Sequence, residues 1–234
     1  MMVNITKSIR LTDEDLANFL KKYKDNFSKI YKEKHWSLFK ENADKFFDFF
    51  REIYTNLPNI RGMNKACQEE LKARIFLGIG CELLLKAVYL KNGYLINLID
   101  KGKLKKLGKN IDKPYKISKV PFEYINKDGT EGLRYYLDKL EIFFDGMSRE
   151  KCNAYVKKGL EIVKLWRNKE AHIGRGYHSE DITNWIDIRS SLTEIYKVVF
   201  GEKLKPLFPN NKKMMFSPQP FPQDLVALFK NNKG

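Results

Sequence analysis

Arg167 and His172 are the side chains of this 234-residue sequence whose types and spacing point most directly to chemistry. They stand five positions apart in Leu165-Trp-Arg-Asn-Lys-Glu-Ala-His172, near the end of a stretch with helical apolar periodicity. Histidine exchanges a proton near neutral pH and so serves as a general acid or base. Arginine offers a planar fork of donors that stabilises negative charge on phosphate oxygens. Such a pair suits a displacement at phosphorus, in which a hydroxyl loses a proton and a leaving oxygen gains one. The sequence has no carboxylate and histidine cluster at metal spacing, no glycine-rich phosphate loop and no tandem cysteine pairs. Neither a metal nor a cofactor is expected.

The run Arg167-Asn168-x-x-x-His172 resembles the signature of the HEPN superfamily, an Arg followed after four to six residues by His, often with Asn after the Arg. The apolar helix from Gly80 to Gly93 is also similar to that family. The likeness covers roughly residues 65–200. It implies an all-α, HEPN-like helical bundle in which two copies of the motif pair across a homodimer to form one composite RNA-cleaving site. It also implies metal-independent endoribonuclease activity on single-stranded RNA, leaving 2′,3′-cyclic phosphate and 5′-OH ends. RNA-cleaving toxins and anti-phage proteins use this motif, and such proteins are normally restrained by an inhibitory or activating protein partner. By this resemblance Arg167 and His172 are catalytic. A catalytically silent module that binds RNA or nucleotide, or scaffolds a complex, remains the alternative. An unrelated helical nucleic-acid-binding protein is a further one.

The residues around the motif carry their own expectations. Arg167 follows Val163 by four positions and Leu160 by seven, which puts it on the edge of a buried seam. A half-buried guanidinium needs an anion. Glu82, isolated in the most apolar stretch, is a candidate partner, and a helical pair with Lys86 one turn on is the competing one. Asn168 could orient the arginine or bond a phosphate, while Lys169 and Arg175 would contact the RNA backbone. Trp166 reads as core. Five residues of regular helix turn through about 140°, so Arg167 and His172 do not share a face. They converge only if the helix frays near Gly174 or if two protomers supply them.

The elements that must position these residues are nearly all helical. A first helix starts at a Thr12 cap with Leu16, Phe19, Leu20, Tyr23, Phe27 and Ile30 on one face. A second spans about Ser37 to Asn56, with Phe39, Ala43, Phe46, Phe50 and Ile53 inward. The third, about Met63 to Lys91, is apolar nearly all round from Ile75 to Leu90 and belongs at the centre of the bundle. Gly78 and Gly80 there permit close approach of neighbours. Residues 93–130 are irregular, with a small strand pair around Tyr115–Val120 and Phe122–Ile125. A fourth helix covers Glu131 to Phe144. Ser148 caps a fifth that turns Cys152, Val156, Gly159 or Leu160, Val163 and Trp166 inward. A sixth, capped by Ser179, reaches Phe200 with Ile182, Trp185, Ile186, Leu192, Ile195 and Val199 inward. The organisation expected is an N-terminal helical extension (1–60) packed on a HEPN-like domain (61–200), then a Pro-containing tail (201–234).

Charge agrees with a polyanion partner. The 44 Lys and Arg outnumber the 29 Asp and Glu, for a formal net charge of +15, which attracts nucleic acid. Between 101 and 120 lie eight lysines, Lys105, Lys106 and Lys109 among them, against Asp112 alone. Such a run is a solvated loop or an electrostatic rail for RNA. Three cysteines at no ligand spacing suggest a reducing compartment. With no signal peptide or membrane span visible, the expected location is cytoplasmic.

Overall fold

The structure, a computed structural model, describes residues 14, 18, 21, 29–31, 35–107, 114–173 and 182–207. The expected helix from Thr12 lies largely outside the described residues, as do the Ser179 cap and most of the tail.

The most apolar stretch of the sequence forms the central helix, here α2 (Met63–Lys91), with the ends expected from its pattern. Gly93 ends it at φ 78°, a left-handed position that costs a residue without Cβ little. The amide of Tyr94 then reaches back to the Tyr89 carbonyl at 2.9 Å, closing the last turn. Helix α1 (Trp36–Asn56) lies along α2. Its buried residues are Ala43, Phe47, Phe50 and Tyr54. Phe47 therefore takes the inward place expected of Phe46. The approach rests on Gly80, where an added Cβ would stand 2.6 Å from the Phe47 ring. Residues of α1 and α2 belong to one continuous hydrophobic core.

The described parts of the segment between 93 and 130, 93–107 and 114–130, are more structured than their composition suggests. Strands β1 (Asn97–Ile99) and β2 (Ile125–Thr130) pair antiparallel, and Tyr94 bridges to Lys116. The expected strand pair is corrected accordingly, since Ile117–Lys119 and Phe122–Tyr124 are 3₁₀ turns. Pro121 between them has no amide proton to give a sheet. Lys101–Leu104 forms a short helix, α3. Leu95, Ile96, Ile99, Tyr115, Val120 and Ile125 anchor the segment in the core. Asn97, buried, donates to the carbonyls of Asn126 and Gly129 at 3.1 and 3.0 Å and accepts a short hydrogen bond from the Tyr31 hydroxyl. A buried amide so fully bonded fixes the hairpin's register.

Helix α4 (Leu133–Asp138) is shorter than expected and passes into a 3₁₀ turn at Leu140–Phe143. The break at Lys139, with φ −120° and ψ 15°, still leaves Leu133, Tyr136, Leu137, Leu140 and Phe144 buried. Ser148 accepts from the Lys151 amide and caps α5 (Arg149–Cys152), which continues through a π turn (Asn153–Lys157) into α6 (Lys158–Ile173). Cys152, Val156, Gly159, Leu160, Val163 and Trp166 are buried along this run, as their spacing predicts. Helix α7 (Ile182–Ile195) packs on α6 at Gly159, where a Cβ would overlap the Asp187 carbonyl. The core seam of α7 is Trp185, Ile188, Leu192 and Ile195. Ile186, expected inward, is 61% exposed because it stands about 100° from Trp185.

Candidate active site

Helix α6 carries Trp166 and Arg167 on adjacent residues, and each meets the central helix. Trp166 is buried against Trp185, with ring centroids 4.7 Å apart. Arg167 crosses α2 at Gly78, where an added Cβ would come within 3.0 Å of the Arg167 Cβ. The small residue noted in the central helix is thus the place where the arginine stem passes.

Beyond that crossing the guanidinium reaches Glu82, with Arg167 Nη1 2.5 Å from Glu82 Oε2. The other carboxylate oxygen, Oε1, lies 2.9 Å from Lys86 Nζ. The two partners that the sequence left open for Glu82 are therefore both present. Lys86 Nζ also donates to the Thr130 hydroxyl at 3.4 Å. Side-chain exposure grades across the group, from 11% for Lys86 and 15% for Glu82 to 34% for Arg167. Two cations share one anion, so the group keeps one positive charge at its exposed edge. Charge pairs this far from water are less screened than surface pairs.

Tyr136 lies close to this group but takes a structural part. Burial pushes its phenol well above the ordinary value, and the charge on Glu82 adds to the shift. It stays neutral and donates to the Ile96 carbonyl at 3.0 Å. Burial likewise pushes the Cys81 thiol up, leaving it a small hydrophobe rather than a nucleophile.

The other expected site residues are placed as follows. Asn168 is exposed on α6. His172 lies in the last turn of the same helix, which runs without a break through Ile173. The side chains of His172 and Lys169 are outside the described residues, and Arg175 and Lys109 are outside them altogether. Lys105 and Lys106 are exposed in the 3₁₀ turn Lys105–Leu107. Lys86 and Thr130 are the members of the group that sequence reasoning missed. Lys86 appeared only as a competitor for Glu82, and Thr130, 44 residues away in sequence, carried no local signal.

Among the described residues no group of three or more His, Cys, Asp or Glu side chains is placed to hold a metal ion. Nor is any helix among them long and apolar enough to cross a membrane. Comparison of the chain with protein-family models, with curated proteins and with solved structures finds no match.

Proposed function

We propose that this chain is a metal-independent endoribonuclease of the HEPN type, acting on single-stranded RNA through Arg167 and His172 of a homodimer. The observation that carries the reading is the state of Arg167. It is anchored through one nitrogen to Glu82, yet a third of its side chain remains open to an incoming anion. A catalytic cation must be held in place without being enclosed.

In this mechanism His172 takes the proton of the ribose 2′-OH, and the freed oxygen attacks the adjacent phosphorus. The bond to the 5′-oxygen breaks, and that oxygen leaves with a proton from an acid, for which a second His172 is suited. Arg167 neutralises the charge that gathers on the phosphorane-like oxygens. The products are a 2′,3′-cyclic phosphate and a 5′-OH end. Because α6 is continuous from Arg167 to Ile173, the two residues sit about 140° and about 7.5 Å apart along it. This supports the two-protomer alternative over fraying ahead of Gly174. Ile75 and Ile79, half-buried on α2 on either side of Gly78 in sequence, supply apolar surface for a second copy. Lys105 and Lys106 would track the RNA backbone. A role as a toxin or anti-phage effector, restrained or triggered by a protein partner, follows from the same reading.

One observation favours a silent module instead. Arg167 is already ion-paired, and a clamp holding α6 on α2 would account for it. The two readings separate when labelled single-stranded RNA is incubated in EDTA with wild type, Arg167→Ala and His172→Ala. Cleavage by wild type alone, with cyclic phosphate ends, is the outcome expected of the enzyme. Three inert but folded proteins would leave the silent module in its place.

A further inference from the structure

We propose that Lys86 is a positioning residue for Arg167, holding one oxygen of Glu82 so that the carboxylate cannot grip the guanidinium with both. Free carboxylates tend to meet arginine as a two-pronged fork. Here the fork is divided. Oε2 goes to Arg167 Nη1 at 2.5 Å, while Oε1 goes to Lys86 Nζ at 2.9 Å. Arg167 approaches the acid through Nη1, and a third of the arginine side chain stays open to another anion.

The placement of Lys86 fits this part better than that of a surface ion pair. Its side chain, on α2, is nearly buried, where a cation is costly unless it is bonded. Thr130, at the end of β2, gives it a second acceptor. The hairpin thus steers Lys86, Lys86 steers Glu82, and Glu82 aims Arg167. The consequence for turnover rests on the ribonuclease reading, whereas the consequence for Arg167 itself does not.

The test is therefore made first without RNA. Phenylglyoxal modifies arginines, and peptide mass mapping reads the rate at Arg167 separately from the rate at Arg74. In Lys86→Met the freed oxygen closes on Arg167, and its modification slows about tenfold, the scale of one added charge-assisted hydrogen bond. Lys86→Met combined with Glu82→Gln restores or exceeds the wild-type rate. Thr130→Val, at an exposed position, slows it about twofold by the loss of one weak hydrogen bond. An unchanged Arg167 rate in folded Lys86→Met overturns the proposal, as does an unchanged rate in Thr130→Val should the lysine variant fail to fold. A slowed rate in a protein that cleaves no RNA would leave the positioning role standing and remove the ribonuclease reading alone.

Discussion

Two arginines flank the seam between α2 and α6, and they are treated in opposite ways. Arg74 is 3% exposed, paired at 2.5 Å with Glu70 one turn before it, and covered by the Trp166 ring at 5.2 Å. Arg167, the residue after Trp166, turns to Glu82 on a different helix and stays one-third open. Arg74's acid belongs to its own helix and its charge is roofed by an indole, so that arginine fastens the core. Arg167's acid is shared with Lys86, which leaves the arginine held but not neutralised. Burial and partner sharing, rather than residue type, separate a cation that builds the fold from one that can meet a substrate.

The two arginines should respond in opposite ways to substitution. Arg167→Ala is expected to lower RNA cleavage by about 10³-fold or more, the scale for losing a cation that stabilises a transferring phosphoryl group. Its urea midpoint should move little. Arg74→Ala should do the reverse, costing about 3 kcal/mol in urea denaturation while cleavage per folded molecule is kept. Equal losses of cleavage in both would mean that Arg167 acts through the fold.

Gly78→Ala sharpens the contrast, because the new methyl presses on the Arg167 stem at 3.0 Å. Alanine also gains about 1 kcal/mol of helix propensity. Cleavage is therefore expected to fall about tenfold, the cost of a small misplacement, with stability nearly unchanged. Lys105→Ala with Lys106→Ala should weaken RNA binding and reduce the slope of log affinity against log salt by about 2, without changing the cleaved ends.

The smallest effect expected is a pH dependence remote from both arginines. Burial alone would raise the Glu141 carboxyl, but the hydrogen bond and charge of Lys157, a backbone hydrogen bond and the charge of Arg149 together outweigh it and hold the carboxyl below the ordinary carboxylate value. A carboxyl lowered by folding contributes stability that is complete above its unfolded value, about 4.3, and is lost as pH falls through the lower folded value. Urea midpoints should therefore fall less between pH 5 and pH 3 in Glu141→Gln than in wild type.

Much of this frame was legible in the sequence because it is local. The ends of α2 follow from an apolar run closed by Asn92-Gly93, and the seam of α6 from helical spacing behind the Ser148 cap. Where several apolar residues stand side by side the phase slipped, so that Phe47 is buried for Phe46 and Ile188 for Ile186. The strands were misplaced because short apolar runs between prolines and glycines fit several pairings, and the observed one joins Asn97 to Thr130 and Ile99 to Ile125, far apart in sequence. In the candidate site, the need of a half-buried guanidinium for an anion pointed to Glu82. The division of Glu82 between two cations was not legible, since it depends on a hydroxyl brought from β2 by tertiary packing.

If Arg167 and His172 of different protomers act together on RNA, two inactive variants should restore activity when mixed. Arg167→Ala and His172→Ala, each inert alone, are combined in equal amounts, allowed to exchange subunits and assayed for cyclic-phosphate ends in EDTA. Half the dimers are then mixed, and the composite site of each holds an Arg167 from one protomer and a His172 from the other. Turnover should therefore rise above either variant alone and stay below half of wild type, because one of the two histidines is missing. An active wild type beside a mixture that stays at background would contradict the composite site, and an inert wild type would contradict the enzyme.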